Sequence, residues 1–97
     1  MNERRAATGS DRIRFSEGVT AREFDREWVV LDLAGGNYFG LDSIGGAIWQ
    51  HLLEGKSPHE IARRLSSEYE AGEDLILADV LALVNELIGR GLASIED

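Results

Sequence analysis

Between Trp28 and Leu41 the apolar residues alternate, and from Ile44 onward they recur every three or four positions. A period of two belongs to a strand with one buried face, and a period of 3.6 to an amphipathic helix. The switch happens once. Such a chain places its sheet first and its helices afterwards, an α+β plan rather than a repeating βαβ one.

The strand half divides further. Ile13-Arg14-Phe15 alternates, and Val19 to Phe24 does so less cleanly. In the next segment Val29, Leu31 and Leu33 share one face, and Trp28, Val30 and Asp32 the other. Gly35-Gly36-Asn37 supplies the permissive backbone of a hairpin turn. Beyond it Phe39 and Leu41 fall on one face, Tyr38 and Gly40 on the other. These segments predict a small antiparallel meander of three strands, with Trp28, Val30 and Tyr38 on its outward face.

Three helices follow. Asp42 or Ser43 can cap the first, which carries Ile44, Ala47, Ile48, Leu52 and Leu53 and closes at Gly55. Ser57-Pro58-His59-Glu60 is a capping box with proline at the first helical position, where its missing N–H costs nothing. Ile61, Ala62, Leu65 and Tyr69 carry that second helix to Gly72. A third begins near Glu73 or Asp74 and runs to about Gly89–Gly91, and Leu92–Ile95 can add a short closing strand. A sheet followed by three helices is a winged-helix-like arrangement.

At 97 residues the chain has material for one domain, because two cores would leave each half too small. Residues 1–11 are small and polar without a period and are expected to form a flexible tail, with residues 12–97 as the single domain. Nothing approaches the length of a membrane span, and no signal-peptide core follows Met1, so the expected location is the cytoplasm. Cysteine is absent, which removes disulfides and thiolate chemistry. Residues 1–26 hold six arginines and five acids, whereas residues 27–97 hold four bases and 13 acids. A body of net charge −9 repels phosphate, so no nucleic-acid partner is expected.

Catalytic readings find little support. His51 and His59 fall on different helices and read as solvated surface residues, not as a metal pair. Ser43 lacks the spacing of a nucleophile elbow, and helix capping explains Asp42-Ser43 better. Gly45-Gly46 has no basic neighbour in sequence to complete a phosphate nest, so it reads as a close helix–strand contact. The acids show no calcium-loop spacing. No catalytic residue, metal or cofactor is expected.

Two segments read instead as a binding surface. If Asn37-Tyr38-Phe39-Gly40-Leu41 lies at the sheet edge, its free backbone groups can accept a strand from another chain, and Gly40 lets that backbone come close. In the last helix Ile76, Leu77, Val80, Leu81, Leu83, Val84, Leu87 and Ile88 cover an arc of roughly 160°, wider than the usual core stripe. Asp79 and Glu86 share one border of that arc, with Leu75 and Leu83 near them. An edge already covered and a helix used wholly as core are the plain alternatives.

In order along the chain, Val30-Leu31-Asp32-Leu33, Gly36 to Asp42, Gly46-Ala47-Ile48-Trp49, Glu54-Gly55, Ile61, Leu65, Tyr69, Asp79-Val80, Leu87 and Gly91-Leu92 resemble the coenzyme PQQ synthesis protein D family. The resemblance covers roughly residues 19–95. It implies a recognition domain for ribosomally made, modified peptides, in which the precursor's leader adds as a strand beside the third strand and packs on the third helix. Carried onto this sequence, those elements are Asn37–Leu41 and about Leu75–Ile88. Tyr38 to Asp42 followed by Ile48-Trp49 is most similar to the stand-alone domains of lasso-peptide systems, whose partners are a leader protease and an ATP-dependent cyclase. The coenzyme PQQ branch, which serves a radical SAM enzyme, usually has a proline-rich segment where this chain has Leu33-Ala34-Gly35-Gly36.

The combined expectation is a peptide-binding site of Asn37, Tyr38, Phe39, Gly40, Leu41, Leu75, Asp79, Leu83 and Glu86. Backbone bonds would set the register, and pockets lined by Tyr38, Phe39, Leu75 and Leu83 would select large side chains. Asp79 or Glu86 would accept from a Lys, an Arg or a backbone N–H of the peptide. A transcription factor and a structural subunit with a filled groove are the competing functions. Leu75–Ile88 contains no Lys or Arg, which speaks against the first.

Overall fold

The structure, a computed structural model, describes residues 6–96. The chain forms β1 (Arg12–Phe15), β2 (Val19–Phe24), β3 (Glu27–Asp32), β4 (Asn37–Leu41), α1 (Ser43–Leu53), α2 (Pro58–Tyr69), α3 (Glu73–Gly89) and β5 (Ala93–Glu96). β2, β3 and β4 make an antiparallel sheet in that order, and β1 pairs separately with β5. The fold is α+β, and the meander is built from β2–β4 with β1 outside it.

Local chemistry sets the element ends. Asp42 Oδ1 accepts from the Gly45 N–H at 2.7 Å and starts α1 directly after β4. At α2 the capping box is complete: Ser57 Oγ accepts from the Glu60 N–H, and Glu60 Oε1 accepts from the Ser57 N–H at 2.8 Å. Hydrogen bonding of the carboxyl to Ser57, its backbone N–H foremost and its side chain next, holds Glu60 below its ordinary pKa. Glu70 ends α2 in the left-handed region, at φ 51°.

The register decides which sheet face is buried. Val30 pairs with Phe39 and Ala21, and Trp28 pairs with Leu41. Val30 is fully buried, and Phe39, Leu41, Val19 and Ala21 pack around the same core. The sequence expectation that Trp28 and Val30 face outward is therefore corrected. Both strand faces are apolar in β3, and the helices cover the one that carries Val30. The outward face holds Val29 and Leu31, with Tyr38 at 75% exposure opposite Leu31.

Trp28 reaches across to α1. A Cβ at Gly46 would collide with its indole ring, so glycine permits the close approach of α1 and β3. Below this contact Ile48, Trp49, Leu52, Ile61, Leu65, Val80, Val84 and Leu87 form the buried centre. Phe15 stacks at a tilt on Trp49, ring centroids 4.4 Å apart, which seats β1 against α1.

Residues 1–5 of the expected tail lie outside the described residues. Residues 6–11 lie against the domain. Ala7 is buried and its N–H donates to Asn85 Oδ1 at 2.8 Å, while the His59 N–H donates to the Gly9 carbonyl at 2.9 Å. The smallness of Ala7 and Gly9, which made them look like tail, is what lets them pack this closely. No helix among the described residues is long and apolar enough to cross a membrane.

Candidate peptide-binding groove

β4 borders β3 on one side and no other strand among the described residues. It runs straight into α1 through Asp42, and α3 passes alongside. Between them lies a groove of about 370 Å³ lined by Gly40, Leu41, Asp42, Ile44, Gly45, Ile48, Asp79, Ala82, Leu83 and Glu86. Leu41, Ile44, Ile48 and Leu83 supply apolar walls. Three carboxylates stand around them.

Each carboxylate has a different state. Asp42 is bound to the Gly45 N–H as the helix cap. Glu86 Oε2 pairs with Arg90 at 2.9 Å from Nη2, one helical turn on. Asp79 is exposed and has no hydrogen bond or ion pair among the described residues.

A second depression, about 230 Å³, lies at the start of β4 and is lined by Asp32, Asn37, Phe39, Arg90 and Leu92. The Arg90 guanidinium lies 4.9 Å from the centroid of the Phe39 ring, a cation–π distance. Asp32 Oδ1 accepts from the Gly35 N–H at 3.0 Å and so braces the β3–β4 turn.

Of the residues named from sequence, the main groove brings together Gly40, Leu41, Asp79, Leu83 and Glu86, and the second depression holds Asn37 and Phe39. Tyr38 belongs to the β4 edge but sits on the opposite sheet face from Phe39, and Leu75 is 64% exposed and outside the groove lining. The structure therefore does not join Tyr38, Phe39, Leu75 and Leu83 around one pocket. Asp42, Ile44, Gly45, Ile48 and Ala82 were missed as lining, as were Asp32, Arg90 and Leu92 in the second depression. Ile44 and Ile48 looked like ordinary core positions, while Glu86 and Arg90 carried an unused i,i+4 signal.

Among the described residues no buried side-chain nitrogen or oxygen lacks a hydrogen-bond partner. His51, expected as a solvated residue, has a side chain only 16% exposed, and Lys56 Nζ donates to its Nδ1 at 2.9 Å. Lys56 also holds Glu54 at 2.7 Å, by hydrogen bond and charge, and keeps the Glu54 carboxyl below its ordinary pKa. No group of three or more metal-ligating side chains occurs among the described residues.

The family described as coenzyme PQQ synthesis protein D (PqqD) matches residues 27–93. Among solved structures, TbiB1 in complex with the TbiA(beta) leader peptide is 35% identical with a TM-score of 0.74, covering 86% of this chain and 94% of that one. A lasso peptide synthetase B1 complexed with the leader peptide is 34% identical with a TM-score of 0.77, covering 84% of this chain and 96% of that one. No curated protein matches. With sequence similarity spanning β3 to β5 and the same fold at this identity, the chain belongs to the coenzyme PQQ synthesis protein D family.

Proposed function

We propose that this protein binds the leader segment of a ribosomally made precursor peptide and presents it to the enzymes of a lasso-peptide pathway. The observation that carries the reading is the open edge of β4 beside an apolar groove walled by α1 and α3. The two solved relatives were each captured with a leader peptide, which supports the same ligand class here.

The added strand bonds to the backbone of Asn37–Leu41, where Gly40 presents no side chain to block it. Side chains on its inner face enter the groove against Leu41, Ile44, Ile48 and Leu83. Those on its outer face lie beside Tyr38. Leu75, one turn before Asp79 on α3, extends the wall, and Asp79 and Glu86 meet polar groups of the peptide. Each well-filled apolar pocket contributes about 1.5–3 kcal/mol, so two or three anchors offset the ordering of a flexible peptide.

The protein then acts without lowering a chemical barrier. Residues 12–97 form the recognition domain, and a leader protease and an ATP-dependent cyclase receive a substrate held at high local concentration. Titration of the protein into a fluorescently labelled leader from an adjacent small reading frame, followed by anisotropy, tests this. Saturable binding that a scrambled leader fails to reproduce is expected. Equal binding of both peptides, or of neither, would overturn the reading.

A further inference from the structure

The two ends of the site carry opposite charge. At the Leu41 end stands Asp79, the one carboxylate of the main groove that is free among the described residues, since Asp42 caps α1 and Glu86 is held by Arg90. At the Asn37 end stands Arg90, half exposed, with Phe39 beneath it. Its Nε and Nη2 face Glu86, which leaves the Nη1 edge for a further acceptor. Asp32, the other charge there, is turned onto the Gly35 N–H.

Resting on the peptide-binding reading, we propose that this site reads a pair of opposite charges on its peptide, a Lys or Arg set against Asp79 and an Asp or Glu set against Arg90. Eleven positions of helix separate Asp79 from Arg90, a rise of about 16 Å. An extended strand covers that distance in about five residues. The ligand class is therefore an extended peptide with a base and an acid about five positions apart and large apolar residues between them. The charges also fix its direction along β4, because a reversed peptide sets like charge against like at both ends. Backbone bonds to an edge strand carry little such information by themselves.

The test selects phage-displayed random peptides of about twelve residues on the wild-type protein, on Asp79→Lys and on Arg90→Glu. Circular dichroism first checks that each variant keeps its helical content. Wild-type selection is expected to enrich a base and an acid about five positions apart. Asp79→Lys should invert the sign at the first position only, and Arg90→Glu at the second, while freeing Glu86 to attract a further base. A wild-type peptide should lose roughly 2–5-fold in affinity on either variant, as partly exposed ion pairs do, and less at high salt. Its charge-swapped partner should recover the loss. Identical enriched sequences on all three proteins would overturn the charge reading while leaving peptide binding intact. Failure of any peptide to enrich on the wild type would overturn the peptide-binding reading itself.

Discussion

Gly46→Ala places one methyl group where α1 meets β3. The new Cβ would collide with Cγ, Cδ1 and Nε1 of Trp28. Cγ is the ring atom nearest the backbone, so swinging the ring tip aside does not relieve the contact. Either Trp28 leaves its rotamer or α1 moves off the sheet, and overpacking of this kind costs about 1–3 kcal/mol. Alanine regains part of this through helix propensity, at most about 1 kcal/mol and less in a first turn. The net expectation is a loss of about 1–2 kcal/mol, which lowers the melting temperature by about 5–10 °C in a domain of this size. Gly89→Ala is the matched control: a Cβ there meets nothing, so the same substitution should be neutral or stabilising by up to about 1 kcal/mol. Urea unfolding followed by circular dichroism reads both, with unchanged slope. A Gly46→Ala protein as stable as the wild type would refute the claim that this glycine sets the α1–β3 distance.

Other consequences can be checked on the same material. Leu83→Asp puts a fourth carboxylate on the groove, in place of an apolar wall, and should weaken leader binding at least tenfold in anisotropy titrations, with helical content unchanged. Because the Glu60 carboxyl sits below its ordinary value of 4.5, its ionised form stabilises the folded state above that pH and loses the effect as pH falls through the folded value. Glu60→Gln should therefore flatten the acid limb of a stability–pH curve. Asn85→Ala removes the acceptor of the Ala7 N–H and should speed amide exchange at Ala7 while leaving β2–β4 protected.

Features written into neighbouring residues were legible before the structure. The Ser57-Pro58-Glu60 cap, the Asp42 cap and the Gly35-Gly36-Asn37 turn all depend on contacts within a few positions. The inward face of β3 was not, because Val29 and Leu31 alternate with Trp28 and Val30 and both sets are apolar. Only the helix that packs on top decides between them. The pairing of Phe15 with Ala93 joins the two chain ends and leaves no local trace. Within the site, helical spacing put Asp79, Leu83 and Glu86 on one border of α3, but only the packing of α3 beside β4 decides that this border lines the groove. The separate states of those two acids depend on Arg90, and the walls from Ile44 and Ile48 depend on where α1 lands after Asp42.

The central claim is that a peptide adds as a strand at β4. Amide hydrogen exchange of the protein with and without a saturating leader peptide tests it residue by residue. The account predicts new protection within Asn37–Leu41, which has no outer strand partner among the described residues, and little change on the exposed face of α2 at Arg63, Arg64 and Ser67. Tight, sequence-dependent leader binding that left the amides of Asn37–Leu41 as exchangeable as before would contradict it.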